Sequence, residues 1–166
     1  MEYSALYNSP VGPLFLVENG CALTRLTFGH TQSSVPYVNA SHESPLLHEA
    51  KKQLDAYFKG NLTVFDLPLE PAGTPFQKQV WNALREIPYG YTRTYAQIAA
   101  IIGRPAACRA VGGANHLNPI AIIIPCHRVI GANGSLVGYA GGISIKRQLL
   151  ELEQSGPQKN SFSMFS

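Results

Sequence analysis

A chain of 166 residues that is 45% hydrophobic and only 14% charged is long and apolar enough to fold as one domain or two small lobes, and its composition is not that of a disordered protein. No apolar run reaches a membrane span, the opening MEYSALYNSP lacks the order of a signal peptide, and three cysteines (Cys21, Cys108, Cys126) do not make a disulfide framework, so a reducing, cytoplasmic location is expected. The net charge of +3 is unevenly spread: residues 1–72 carry four Lys/Arg against seven Asp/Glu, and residues 73–166 carry nine against three, so the second half suits a polyanion.

Residues 3–28 read as β-rich pieces broken by the turn compositions NSPVG and ENG. Over 45–58, Leu47, Ala50, Leu54 and Phe58 recur at helical spacing, and Gly60 is a stop. Residues 66–73 (DLPLEPAG) follow neither period and read as a linker between an N-terminal α/β lobe and a C-terminal lobe. Thr74, Pro75 and Gln77 then open a helix: a cap, a proline at the first helical position and a capping box. Its apolar stripe is Phe76, Val80, Leu84 and Ile87, flanked by Trp81, and IPYGY ends it. Thr94 and Gln97 form a second capping box for a short helix through Ile102, stopped by Gly103. Pro105 starts the next helix, running to about Asn115, and the pair has the form of a helix-turn-helix.

The second helix of that pair, within RAVGGANHLNP (109–119), has few large side chains. Gly112 and Gly113 cost it roughly 1 kcal/mol each relative to alanine. Such a face suits close packing against another helix, or close approach of a nucleic-acid backbone or groove. From about Ser155 the chain (SGPQKNSFSMFS) reads as a frayed tail.

Three isoleucines run into Pro125-Cys126-His127-Arg128, which suits the end of a strand. A free thiol has a pKa of about 8.5, and a neighbouring base or cation raises its thiolate fraction. In an extended chain adjacent side chains point to opposite faces, so His127 reaches the Cys126 sulfur directly only if the backbone turns; otherwise a water bridges them. The plainer alternative makes Cys126 a small core hydrophobe with His127 and Arg128 at the surface. Metal-ligand spacing is absent: Cys21 and His30 are isolated, His42, His48 and His116 read as surface or locally bonded, and Cys108 reads as mid-helix packing.

RAVGGA (109–114), NP (118–119), PCHRV (125–129) and GYAGG (138–142) occur in this order and spacing. The set resembles the O6-alkylguanine-DNA alkyltransferase family, the methylated-DNA–protein-cysteine methyltransferases, in its bacterial style. The resemblance is strong from Thr74 to Glu153 and looser before it. It implies an α+β chain: a ribonuclease-H-like α/β domain over 1–70, a helical, winged-helix-like DNA-binding methyltransferase domain with a helix-turn-helix over 74–156, and a flexible tail over 157–166. It also implies a suicide repair protein that docks as a monomer in the minor groove of double-stranded DNA, flips out the alkylated guanine and takes its O6-alkyl group, with activity on O4-methylthymine too. No cofactor and no metal are implied.

By the same resemblance Cys126 is the acceptor thiol and His127 the base that acts through a water. Glu153 orients His127, and Asn118 braces the turn between recognition helix and active-site strand. Tyr95 donates to guanine N3 and crowds the target phosphate. Arg109 fills the gap left by the flipped nucleotide, with Ala110, Gly112, Gly113 and Ala114 along the DNA-facing helix. Val129 is the pocket floor, Tyr139 and Ala140 its wall and O6 donor, and Asn115 also belongs to the pocket. Asn115 and His116 stand where some members have methionine and a basic residue, and Ala140 lacks a hydroxyl found elsewhere, which leaves open the preference for longer alkyl groups. The alternatives are a sensor that binds alkylguanine without transfer, a regulator with a redox cysteine, and a thiol peptidase. A cysteine at position 126, where the non-transferring class has tryptophan, counts against the first. The small-residue helix counts against the second. The third would make a helix-turn-helix superfluous.

Overall fold

Three antiparallel strands in the order β1-β2-β3 open the chain: β1 (Tyr3–Ser9), β2 (Gly12–Glu18) and β3 (Leu23–Phe28). The computed structural model describes residues 2–29, 43–136, 139 and 141–155. The β1–β2 turn is tight because Gly12 takes a φ of +109°, which side chains rarely adopt. Leu14 pairs with Phe28 and Leu16 with Leu26, so alternation puts these four buried residues on one face of the sheet.

Helix α1 (Pro45–Phe58) packs against β1 and β2. Ser44 caps it by accepting from the Leu47 amide. Its buried residues are Leu47, Ala50, Leu54 and Tyr57, whereas Phe58, expected to complete the stripe, is only half-buried. Tyr57 lies three residues beyond Leu54 and seven beyond Ala50, on the same face, and the larger amphipathic ring is the one drawn inside. The expected linker is pinned rather than loose: the Leu23 amide donates to the Pro68 carbonyl and the Glu70 amide to the Leu23 carbonyl, alongside β3.

The second half is helical, with α2 (Pro75–Arg85), α3 (Tyr95–Ile101), α4 (Cys108–His116) and α5 (Ile143–Gln154). Both expected capping boxes form, at Thr74/Gln77 and at Thr94/Gln97. Trp81 does not flank the α2 stripe but sits in the core, and its Nε1 donates to the Ala114 carbonyl at 2.9 Å. Helix α4 begins at Cys108, not at Pro105; residues 104–107 form a turn closed by the Ala107 amide on the Arg104 carbonyl. With no side-chain cap at Ala107, the turn tightens before the helix starts, and Cys108 becomes an exposed first residue rather than a mid-helix packing residue. Among the described residues no helix is long and apolar enough to cross a membrane.

The isoleucine run does not form a strand. Ile120 makes one bridge to Leu26, and the chain then turns through residues 121–124, with Ile122 at a φ of +72°. Cys126–Arg128 form a 3-10 turn, followed by β5 (Val129–Ile130), which pairs in parallel with β4 (Arg93–Thr94). β-branched residues favour strands because they fit a half-buried pleated surface, but Ile122 and Ile124 are each 1% exposed, and burial decides their backbone. The left-handed isoleucine is strained, and the packing around it holds it there.

Candidate active site

Cys126 is 4% exposed at the start of the 3-10 turn. The Asn118 side-chain amide donates to its sulfur at 3.0 Å and to the Ile124 carbonyl at 2.8 Å, while Asn118 Oδ1 accepts from the Ile120 amide at 3.0 Å. One side chain therefore clamps the turn on both sides and presents a donor to the thiol. Burial pushes the thiol up to about 11 from 9.0, against the lowering effects of the Asn118 amide, the Lys146 ammonium and the Tyr139 hydroxyl. Tyr139 Oη lies near enough to favour a thiolate but makes no hydrogen bond of ordinary geometry among the described residues. At neutral pH the resting group is a thiol, so a base must take its proton for it to act as a nucleophile.

The adjacent residues are not at the surface. His127 is fully buried, and its Nε2 lies 2.7 Å from Glu153 Oε2. Arg128 donates through Nε to Glu153 Oε1 at 2.8 Å, through Nη2 to Oε2 at 3.0 Å, and through Nη1 to the Ile87 carbonyl at 2.7 Å. Burial alone would raise the Glu153 carboxyl, but His127 and Arg128 bring it well below the ordinary carboxylate range. Burial lowers His127, against the opposing pull of Glu153, so the imidazole is neutral. An ionised Oε2 only accepts, so Nε2 carries the imidazole proton and Nδ1 is the lone-pair nitrogen. That Nδ1 is buried with no hydrogen-bond partner among the described residues. It is the one basic atom of the cluster left unpaired.

Helix α5 supplies two of these groups from one face. Lys146 and Glu153 are seven residues apart, two helical turns, and both are buried together with Leu149 and Leu150. Gly142, at a φ of +98°, starts the helix, and a side chain on Gly141 would meet the Phe28 ring at 2.7 Å. Burial lowers Lys146 to about 8, and its ammonium lies 6.0 Å from the centroid of the Tyr95 ring. Tyr95 interacts with the side chain of Asn115, whose Nδ2 also donates to the Cys126 carbonyl at 3.3 Å.

A cavity of about 230 Å³ opens at the sulfur. Its lining includes Leu26, Thr27 and Phe28 of β3 together with Asn118, Ala121 and Tyr139. The structure thus gathers Cys126, His127, Glu153, Asn118, Asn115, Tyr95 and Tyr139 into one shell. Of the residues expected in the pocket, Val129, fully buried in β5, and Asn115 do not line this cavity. Ala114 faces the core beneath Trp81 rather than outward, while Arg109, Ala110 and Gly113 are exposed and Gly112 is half-buried. Ala140 and residues 157–166 lie outside the described residues, as do His30 and His42.

Sequence reasoning missed Lys146, Arg128 as a buried ion-pair partner, Tyr57, and the whole β3 side of the cavity. Lys146 was legible in one respect, its seven-residue spacing from Glu153 on an amphipathic helix. The β3 wall had no sequence signal, because it depends on how the two lobes pack.

Two family models match consecutive parts of the chain: the ribonuclease-like domain of 6-O-methylguanine DNA methyltransferase over residues 3–71, and the DNA binding domain of the same family over residues 75–155. The methylated-DNA–protein-cysteine methyltransferase of Methanosarcina acetivorans is 55% identical over 155 residues, covering 92% of this chain and 99% of that protein. The constitutive enzyme of the same name from Bacillus subtilis is 48% identical over 160 residues, covering 93% of this chain and 96% of its own length. The crystal structure of Mycobacterium tuberculosis OGT in complex with DNA superposes with a TM-score of 0.85 at 51% identity, covering 94% of this chain and 96% of that one. The fold, the buried Cys-His-Glu shell and these likenesses agree, and the chain belongs to the 6-O-methylguanine DNA methyltransferase family, whose members transfer alkyl groups from DNA to a cysteine of their own.

Proposed function

We propose that this chain repairs DNA by moving the methyl group of O6-methylguanine onto Cys126, once per molecule, and that O4-methylthymine is a second substrate. The observation that carries the reading is the Cys126 sulfur set in the cavity wall, with a donor from Asn118 on it and the unpaired His127 Nδ1 in the shell behind it. His127 Nδ1 takes the thiol proton through a bridging water, and Lys146 and Asn118 stabilise the thiolate. As the S–C bond forms, the O6–C bond breaks and its electron pair stays on the base. Tyr95 donates a proton to guanine N3 and regains one from His127 through solvent, so the thiol proton ends on restored guanine. The product thioether has no comparable leaving group, which makes the reaction single-turnover. O4-methylthymine presents the same ring-bound O–CH3 electrophile on a smaller base.

The DNA side of the reading rests on α3 and α4. Arg109, Ala110 and Gly113 form an exposed face with little side-chain bulk, and Gly112 sits against the Tyr95 ring, where an added Cβ would lie 3.9 Å away. This face enters the minor groove as the chain binds double-stranded DNA as a monomer, and Arg109 occupies the space of the flipped nucleotide, offsetting unstacking that costs a few kcal/mol. The working division is a ribonuclease-H-like domain over 1–70 and a methyltransferase domain over 74–156, in a cytoplasmic protein that needs no cofactor.

The test is intact and peptide mass spectrometry after mixing with a duplex holding one O6-methylguanine. One methyl on the Cys126 peptide, saturating at one per protein, is the expected result. Tight binding with no mass gain would make the chain a sensor instead.

A further inference from the structure

We propose that Tyr57, from the N-terminal lobe, is a positioning residue of the transfer reaction, fixing Glu153 so that His127 keeps its Nδ1 free to act as base. The proposal rests on the role given to His127 above. Tyr57 lies ninety-six residues before Glu153 in sequence, yet its hydroxyl donates to Glu153 Oε2 at 2.6 Å, beside the 2.7 Å contact from His127 Nε2 to the same oxygen. The residue is fully buried in α1, and burial together with Glu153 holds its phenol protonated, so it donates rather than accepts.

With Tyr57 in place, the carboxylate accepts four hydrogen bonds: one from Tyr57, one from His127 and two from Arg128. Two consequences follow from that count. The oxygen facing His127 has no freedom to rotate away, so the imidazole plane is set by contacts from both lobes. The phenol also shares the negative charge of Oε2, which limits how strongly the carboxylate draws a proton onto His127. The other titratable groups facing this pair are Arg128 on the 3-10 turn, Tyr89 before β4, Tyr139 before α5 and Lys146 on α5. Tyr89 packs edge-on against Tyr57 with ring centroids 6.2 Å apart, and the Arg128 guanidinium lies 5.8 Å from the Tyr89 centroid. Of these groups only Tyr57 belongs to the N-terminal lobe. An otherwise C-terminal proton relay is therefore completed by the lobe that carries no nucleophile.

The experiment is single-turnover methyl transfer from an O6-methylguanine duplex, followed against pH, for two variants of opposite sign. Tyr57→Phe removes the donor, so Glu153 draws harder on His127 and the imidazole becomes more basic. The acid limb of the rate profile should move to higher pH, with transfer at neutral pH roughly tenfold slower from lost alignment. Replacing Tyr57 with 3,5-difluorotyrosine keeps the hydroxyl but makes it a stronger donor, and the limb should move to lower pH. Duplex affinity should stay as in the parent protein for both. A limb unmoved in both variants, or a Tyr57→Phe protein that only melts earlier while transferring at the parent rate and pH profile, would overturn the proposal. His127→Gln run in parallel separates the two levels. If it transfers at the parent rate, the base assignment itself fails. If it is slow while the Tyr57 variants titrate like the parent, Tyr57 alone is misassigned.

Discussion

On α4, Arg109, Ala110 and Gly113 stand in solvent, on a helix without a side-chain cap and with two glycines in its middle. Behind Cys126, by contrast, Tyr57, His127, Arg128 and Glu153 converge from three separate elements, and every oxygen of the carboxylate is paired. The first region gives up helix stability, by roughly 1 kcal/mol per glycine, to keep its backbone close to the surface. The second buries its charges and holds the Glu153 carboxylate from four sides, at the desolvation cost that a buried charge always carries, and leaves His127 Nδ1 unpaired among the described residues. In the proposed docking, a face that enters the narrow minor groove needs little side-chain bulk. A site that must move one proton needs every neighbour held in place.

Breaking the buried region should have the largest effect. Glu153→Gln leaves the Arg128 guanidinium buried without its counter-charge, and loss of one partner of such a pair costs about 3–5 kcal/mol. Denaturant unfolding measures this, and a loss below about 1 kcal/mol would mean that water reaches the cluster.

Acid should loosen the same region by a smaller, graded amount. In the unfolded chain histidine takes up a proton as pH falls through 6.5, whereas burial keeps folded His127 neutral to lower pH. The unfolded state then holds the extra proton, so this contribution is complete above 6.5 and declines below it. Glu153, held well below its ordinary 4.5, adds a loss of the same sign as pH falls under that value. On the alkaline side Cys126 and Lys146 act in opposite senses. Cys126 contributes stability below 9.0 that is lost as pH rises toward about 11, while the cost of burying the Lys146 ammonium is relieved between about 8 and 10.5. Thermal melts from pH 8 down to pH 4 are therefore the cleaner test.

The exposed region should respond in function rather than stability. Arg109→Ala should change unfolding free energy by less than about 0.5 kcal/mol. It should slow transfer from duplex DNA roughly tenfold, as a few kcal/mol of unstacking loses part of its offset, while leaving transfer from the free modified base unchanged. Equal slowing on both substrates would place Arg109 in the chemistry instead. The smallest and sharpest change is Gly113→Ala. A Cβ there meets nothing within 4 Å, so α4 should gain about 1 kcal/mol. If α4 docks as proposed, the same methyl group stands between helix and groove, so duplex affinity should fall as the melting temperature rises.

How much of this was legible depended on the range of the interaction. Caps are local: Thr74 with Gln77 and Thr94 with Gln97 are three residues apart, and both boxes form as their spacing predicts. The α1 helix and its Ala50–Leu54 stripe follow from a period, and so does the shared face of Lys146 and Glu153 on α5. The isoleucine run failed as a strand because its backbone is set by burial against β3 and the core rather than by intrinsic preference.

The amino-acid order by itself determined the α1 helix, the capped starts of α2 and α3 and the Cys126-His127 pair, because each is written in residues a few positions apart. Only the tertiary structure decided which nitrogen of His127 is left as the base, that Arg128 turns inward, that β3 walls the cavity, and that Tyr57 reaches Glu153. Those outcomes depend on contacts between distant segments in a buried interior. There an unpaired polar group costs enough that packing, rather than local preference, selects the arrangement.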